Sequence, residues 1–180
     1  MRITVSGLPG SGTTSLSRYL SDHHGFLMIS AGEVFRQLAK EHDMDLAEFG
    51  LLAQENPAFD TMIDARQKEI AKRQDNIIVE GRLSGWMVDD ADLRIWLRAP
   101  IGCRIQRIVF RDQVTDEKTA ERITLEREEC EAARYHSYYN IDINDLSIYQ
   151  IILNSGHWGI EGLGSIIDTA IMQLQPPGAK

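Results

Sequence analysis

The feature that most constrains this chain is a glycine-rich segment near its N-terminus, GLPGSGTT at residues 7–14. It follows a short apolar run at residues 3–5 and precedes a helix-like run at residues 15–19. Glycine reaches backbone angles that are closed to other residues, so several backbone N–H groups can point at one anion. The positive end of a helix dipole favours the same anion. The segment therefore predicts a strand, a phosphate-binding loop and a helix, rather than a plain connecting turn.

The segment departs from the usual phosphate-loop spacing, G-x-x-x-x-G-K-[S/T], at one position. Thr13 stands where the lysine is expected, whereas Thr14 still supplies the hydroxyl that such loops offer to Mg²⁺. The segment alone leaves open which other cation carries out the task of that lysine.

Length and composition exclude several classes of protein. A chain of 180 residues predicts one domain, and its net charge of -8 argues against a nucleic-acid polymer or an anionic membrane as the partner. The sequence contains neither a long apolar run nor a charged-then-apolar leader, so we expect a cytoplasmic protein. Cys103 and Cys130 lie far apart without metal-ligand spacing and are expected to be reduced thiols. No exposed apolar seam is evident, so the expected state is a monomer.

Five apolar runs of strand length alternate with helix-like stretches, at residues 3–5, 26–29, 77–79, 93–97 and 151–153. Short apolar runs separated by helices are typical of a parallel sheet that is covered on both faces. The predicted class is therefore α/β, with a doubly wound five-stranded parallel sheet and helices on both faces. Ligands of such sheets bind beyond the carboxyl ends of the strands. The polar residues that follow the runs become candidates for the site: Ser6, Ser30, Glu80 and Asn154.

The long connection between the second and third runs predicts an inserted helical lobe at about residues 31–73. Ser30 and Glu33 have the spacing of a capping box, and Asp45 and Asn56 are further candidate helix caps. A lobe beside the phosphate loop could hold a second substrate. The tail at residues 175–180 is expected to be frayed.

Seven arginines lie on elements whose ends can converge on the loop: Arg36, Arg82, Arg104, Arg107, Arg111, Arg127 and Arg134. The planar guanidinium suits phosphate, and phosphoryl transfer depends on positioning and charge neutralisation. The alternative for each is a solvated surface pair, especially for Arg127, which has four glutamates around it. The positions of Arg36 and Arg82, after a helix cap and after a strand, favour a functional role.

Other residues admit two interpretations. Glu80 could lie near Mg²⁺, directly or through water, or could pair with an arginine. Asp60, Asp64 and Gln67 share helical spacing and could contact the edge of a base, although solvated helix charge is the commoner explanation. Trp158, in the loop after the last run, could line an adenine pocket or pack in the core.

Four further segments carry a resemblance over nearly the whole chain: SAGEVFR at 30–36, EGRLSGWM at 80–87, ADLRIWL at 91–97 and YNIDINDLSIY at 139–149. Together with the loop, the lobe and the arginines, they resemble the nucleoside monophosphate kinases, and most closely the archaeal-type cytidylate kinases. That branch also has Thr-Thr where most relatives have Lys-Ser or Lys-Thr, so Thr13 does not depart from it.

The resemblance implies a P-loop kinase fold and an ATP-dependent transfer to CMP or dCMP, with Mg²⁺. It implies that the ATP phosphates are bound by Gly7, Leu8, Pro9, Gly10, Ser11, Gly12, Thr13, Thr14 and Ser15. Arg36 and Arg82 would hold the acceptor phosphate, and Asp64 and Arg66 of the lobe would bear on the choice of base. The lid-side arginines that neutralise the transferring group would be Arg107, Arg111, Arg127 and Arg134.

Residues 112–121 resemble a short lid whose closure would exclude water. The hydroxyl of Thr14 and the carboxylate of Glu80 are the expected groups near Mg²⁺. We hypothesise that a lid arginine supplies the charge of the missing loop lysine. The alternatives are a kinase that prefers AMP or UMP, a nucleotide-binding module without catalysis, and a small-molecule kinase of the shikimate type.

Overall fold

The computed structural model describes residues 1–44, 48–49, 52, 56, 58–113 and 116–174. All five apolar runs form strands: β1 (Arg2–Gly7), β2 (Leu27–Ser30), β3 (Ile77–Glu80), β4 (Leu93–Arg98) and β5 (Ile151–Asn154). They pair in parallel in the order β2-β3-β1-β4-β5. The carboxyl ends of β1 and β3 are thus adjacent at the edge where the glycine-rich loop begins.

Seven helices have both ends within the described residues: α1 (Thr13–His24), α2 (Ala31–Glu41), α3 (Ala58–Arg73), α4 (Ser84–Met87), α5 (Ile101–Asp112), α6 (Glu117–Tyr139) and α7 (Ile160–Gln173). The capping box at α2 is confirmed, because the Glu33 amide donates to Ser30 Oγ at 3.1 Å and the Ser30 amide donates to the Glu33 carboxylate at 3.0 Å. Asn56 Oδ1 accepts from the Ala58 amide at 3.1 Å, as expected of a cap, whereas Asp45 lies outside the described residues.

Helices cover both faces of the sheet, which confirms the doubly wound α/β class. On one face, β-strand residues such as Ile3 and Ile95 pack with Leu16 of α1 and Ile167 of α7. On the other face, Trp96 of β4 packs with an apolar cluster that includes Leu83, Tyr135, Ile143 and Tyr149. Burial of this apolar surface on two sides explains why the strands are continuous apolar runs instead of alternating ones.

The described part of the predicted lobe consists mainly of α2 and α3, which share an apolar cluster with Ile29 of β2 and Val79 of β3. The predicted lid at residues 112–121 overlaps two helices, since Asp112 ends α5 and residues 117–121 begin α6. The connection between them is residues 113–116, of which 114 and 115 lie outside the described residues, as does the whole tail at 175–180. Within the described ranges, no helix is long and apolar enough to span a bilayer.

Candidate active site

The glycine-rich loop connects the end of β1 to the start of α1 in the geometry of an anion site. Gly10 and Gly12 have φ angles of 77° and 92°, in the left-handed region that favours glycine. The loop is closed by Ser11, whose amide and hydroxyl both donate to the Leu8 carbonyl, at 3.1 and 2.7 Å. Gly12 caps α1 without a side chain. The first-turn amides of α1 are therefore open to an anion at the positive end of the helix.

The loop is packed too tightly to accept a side chain at Gly10. A Cβ atom built there would lie 2.5 Å from the Arg104 carbonyl oxygen of α5. Both the backbone angle and the space thus require glycine at this position, and the loop is held against α5.

Thr13, at the position of the missing lysine, bonds to the acid that ends β3. Its hydroxyl donates to Glu80 Oε1 at 2.6 Å, and the Thr14 hydroxyl lies near the same carboxyl. Burial raises the pKa of Glu80 above its usual range, although the hydroxyls and nearby Arg82 act in the opposite direction. Glu80 therefore meets threonine hydroxyls and, among the described residues, forms no ion pair with an arginine.

Replacing Glu80 by glutamine is expected to stabilise the fold and to slow catalysis. A raised folded-state pKa means that Glu80 contributes its stability below the unfolded pKa, near about 4.3, and loses it as pH rises through the folded value. The melting temperature of Glu80→Gln should thus match that of the parent near pH 4 and exceed it near pH 8. We expect kcat to fall by about thirtyfold, because the sequence leads us to expect this carboxylate near Mg²⁺ and the variant lacks its charge.

The exposed Glu129→Gln provides the control, with neither change expected. Glu80→Gln that melts below the parent at pH 8 would contradict the assignment of burial as the dominant effect.

Two arginines of α5 hold the loop from behind. Arg107 donates through Nη1 to the Gly10 carbonyl at 3.2 Å and to Ser155 Oγ at 2.9 Å, and through Nη2 to the Ser155 carbonyl at 2.7 Å. Ser155 Oγ in turn donates to the Ser11 carbonyl at 2.5 Å. Buried Arg104 donates to the Pro9 carbonyl at 3.1 Å and pairs with Glu128 of α6. The guanidinium of Arg107 is thereby fixed beside the loop that lacks a lysine.

A second group of charges surrounds Glu131, a buried residue of α6. Its Oε2 lies 2.7 Å from Arg82 Nε, and its Oε1 accepts from Arg127 Nε at 2.7 Å. Burial lowers the pKa of Arg82, and the nearby carboxylate of Glu131 counteracts this effect. The structure thus brings Arg82 and Arg127 together through Glu131, an acid that the sequence groups with the glutamates of a solvated surface.

The candidate residues of the lobe make different contacts, and one of them, Asp64, contacts α6. Tyr139 Oη donates to Asp64 Oδ2 at 3.0 Å, so Asp64 lies between α3 and the end of α6. Gln67, which was one candidate for base contact, is buried and donates to the Glu80 carbonyl at 2.9 Å. Arg66 pairs with Glu41 near the surface. Arg36 is exposed on α2 and forms no ion pair with the described residues.

The remaining predicted arginines lie farther along their helices. Arg111 is exposed at the end of α5 and donates to the neighbouring Asp112 at 2.6 Å. Arg134 is half-buried on α6. Trp158, after β5, is 47% exposed, which contradicts its interpretation as a core residue and leaves the pocket interpretation open.

Three contributors were not identified as site residues from the sequence: Glu128, Glu131 and Ser155. Glu128 and Glu131 belong to a run of glutamates that is typical of a solvated helix face. Ser155 directly follows β5, and its position at a strand's carboxyl end was the available signal.

Comparison with known proteins gives the chain a clear set of relatives. Residues 2–157 match the model of the cytidylate kinase-like family. A cytidylate kinase of Methanoregula boonei is 73% identical over 97% of this chain and 96% of its own length. A cytidylate kinase of Methanosphaerula palustris is 62% identical over 97% of this chain and 99% of its own length. Among solved structures, a shikimate kinase from Bacteroides thetaiotaomicron superposes with a TM-score of 0.65 over 96% of this chain and 98% of its own, at 15% identity, which shows a shared fold.

Proposed function

Because the chain belongs to the cytidylate kinase-like family, we propose that it transfers the γ-phosphoryl group of ATP to CMP, giving ADP and CDP. The observation that carries this proposal is the 73% identity to a cytidylate kinase over 97% of the chain. The deoxynucleotide dCMP is the second proposed acceptor. A preference for AMP or UMP is not favoured, since the relatives at 54% identity or more are cytidylate kinases.

The donor side of the proposed reaction is the loop at residues 7–15. Amides of this loop and of the first turn of α1 would bind the phosphates of ATP, and the guanidinium of Arg107 beside Gly10 would compensate for the missing lysine. Amides that bind the phosphates and a fixed guanidinium stabilise the negative charge that develops on the leaving ADP, and so lower the free energy of the transition state.

The acceptor side is Arg82 with Arg127, and Arg36 would join them from the lobe. Arginine forks suit the dianionic phosphate of CMP and would align its oxygen with the γ-phosphorus. That oxygen is already ionised, so no side chain has to act as a strong general base. Closure of the predicted lid at residues 112–121 would exclude water and disfavour hydrolysis of ATP. Arg111 and Arg134 are proposed to act on the transferring group in the closed state.

The oxygen donors at the loop fit Mg²⁺. The hydroxyls of Thr13 and Thr14 lie together with the carboxylate of Glu80, and hard oxygen ligands in small number are what Mg²⁺ takes beside substrate phosphates. Among the described residues, no cluster of three or more acidic, histidine or cysteine side chains offers a complete metal cage. Bound there, Mg²⁺ would neutralise phosphate charge, with Thr14 and Glu80 holding it.

We propose that Asp64 contributes to the choice of cytosine. A carboxylate accepts a hydrogen bond from the exocyclic amino group of cytosine but repels the carbonyl that uracil presents at the same place. The bond from Tyr139 to Asp64 Oδ2 would fix the direction of this carboxylate. Arg66, whose guanidinium reaches Glu41, would support the same part of the lobe.

Replacing Asp64 by asparagine is therefore expected to reduce the CMP-to-UMP ratio of kcat/KM by about tenfold. The amide keeps the shape but can turn its NH₂ group toward uracil. Steady-state kinetics with both acceptors measures the ratio, and the exposed Asp22→Asn on α1 is the matched control. An unchanged ratio would remove Asp64 from base selection.

The reaction itself is tested by its products. The protein is incubated with ATP, Mg²⁺ and CMP, and the nucleotides are separated by anion exchange. We expect CDP and ADP in a one-to-one ratio, with little ADP when CMP is omitted. ADP without CDP would identify an ATPase, and absence of both despite ATP binding would favour a non-catalytic binding module.

A further inference from the structure

Helix α6 carries two acids, Glu128 and Glu131, that lie one turn apart and are each paired with an arginine from a different part of the chain. Glu128 pairs with Arg104 of α5, and Glu131 pairs with Arg82, which follows β3. The side chains of Glu128 and Glu131 are 14% and 8% exposed. The other glutamates in this stretch, Glu126 and Glu129, are exposed. Glu131 is therefore buried and Glu128 is partly buried, unlike the solvated face to which the sequence assigns them.

The contacts of Glu131 leave part of Arg82 available for a ligand. Glu131 Oε2 lies 2.7 Å from Arg82 Nε as an ion pair without hydrogen-bond geometry, and the buried Nη1 also has no hydrogen-bond partner among the described residues. An unpartnered charged donor in a buried place is costly, so it indicates a place for an anion. Glu131 cannot itself hold a phosphate, because both are negative, and it must act through its arginines.

Glu131 also allows two positive charges to approach each other. Arg127 Nε donates to its Oε1 at 2.7 Å, and burial lowers the pKa of Arg82 with a smaller contribution in the same direction from the charge of Arg127. Like charges that converge on one point repel, and the repulsion bears mainly on Arg82, whose side chain is 15% exposed compared with 63% for Arg127. A carboxylate between them offsets this repulsion before the substrate arrives. The two guanidiniums are thus held ready at fixed positions.

The contacts of Glu128 connect α6 to the loop that is proposed to bind ATP. Arg104 pairs with Glu128 and donates to the Pro9 carbonyl at 3.1 Å, and the Arg104 carbonyl borders the space beside Gly10. A displaced Arg104 would move the segment that supports the loop. Glu128 of α6 therefore holds the donor loop indirectly, through Arg104.

We propose that Glu131 and Glu128 are positioning residues that set the acceptor site and the donor site separately, from one helix. The proposal rests on the function proposed above, since it assigns Arg82 to the acceptor phosphate and the loop to ATP. Neither acid touches a reacting atom. Helix α6, which begins just after the connection at 116, thereby joins the two substrate sites.

The test compares three isosteric variants, Glu131→Gln, Glu128→Gln and the exposed Glu129→Gln. Glu131→Gln is expected to raise the KM for CMP by about tenfold and to leave the KM for ATP within about twofold. Glu128→Gln is expected to raise the KM for ATP by about tenfold and to leave the KM for CMP within about twofold. Glu129→Gln is expected to match the parent in both KM values. Calorimetric titration with CMP alone and with ATP alone should show the same split in Kd, which a general loss of stability would not produce.

A double-mutant cycle adds a direct test of the pairing. The effects of Glu131→Gln and Arg82→Lys on the KM for CMP should be less than additive in the double mutant, because both substitutions disturb the same interaction. Additive effects, equal changes of both KM values, or parent-like KM values in both variants would overturn the proposal. If Glu131→Gln does not fold, Glu131→Asp replaces it: a raised KM for CMP alone supports the proposal, and an unchanged KM overturns it. A parent protein that does not phosphorylate CMP would instead refute the proposed function.

Discussion

Replacing Arg107 by alanine is expected to lower kcat with CMP by about a thousandfold. The change removes the guanidinium that contacts the Gly10 carbonyl and both the hydroxyl and the carbonyl of Ser155. It therefore takes away a fixed positive charge beside a loop without a lysine, and it removes one of the two links between the loop and Ser155, the other being the hydrogen bond from Ser155 Oγ to the Ser11 carbonyl. Steady-state kinetics of ADP formation measures the effect.

Two further variants separate charge from geometry. Arg107→Lys keeps the charge but cannot span Gly10 and Ser155 together, so it should recover only part of the activity. Arg122→Ala removes an exposed arginine that pairs with Glu126 and should leave kcat unchanged. If Arg107→Ala and Arg111→Ala both turn over like the parent, the idea that an arginine compensates for the lysine is wrong.

Replacing Gly10 by alanine is expected to lower kcat/KM for ATP by at least about a hundredfold. The residue has a φ angle of 77°, and the new methyl group would meet the Arg104 carbonyl oxygen at 2.5 Å. Backbone on both sides prevents a simple side-chain adjustment, so the loop must shift and its amides lose their common target. ATP binding by calorimetry and initial rates at varied ATP measure the loss.

Two other glycines provide matched controls for Gly10→Ala. Gly25→Ala places alanine at a φ angle of 66° with no atom within 4 Å, so it should reduce stability and spare ATP kinetics. Gly102→Ala, in the first turn of α5, meets no atom within 4 Å and should behave like the parent. Normal ATP binding by Gly10→Ala would show that the loop does not bind phosphate in the described conformation.

The sequence predicted the sheet because its signals are local. Each apolar run is short, lies between helix-like stretches and needs cover on both faces, and each forms a strand. The capping box of Ser30 and Glu33 depends on a spacing of three residues and is formed as predicted. The loop at residues 7–14 is likewise a contiguous pattern, and the structure places it between β1 and α1.

The site was less predictable because its contacts join distant parts of the chain. Helical spacing places Arg104, Arg107 and Arg111 on related faces, but only the packing of α5 decides that Arg107 reaches the loop while Arg111 remains exposed. Glu131 lies in a run of charges that has the composition of a solvated face. In its buried position it pairs with Arg82, which follows β3 and lies 49 residues earlier in the sequence. An ion pair between such distant residues leaves no periodic pattern in the sequence.

We expect this chain, with threonine in place of the loop lysine, to catalyse phosphoryl transfer to CMP. A coupled assay of ADP release with Mg-ATP and a panel of CMP, dCMP, UMP, AMP and GMP, each against a blank without acceptor, measures this activity. Turnover should be highest with CMP and dCMP, and the blank should be near zero. Release that is the same with every acceptor and in the blank, or that is highest with AMP or UMP, would contradict this expectation.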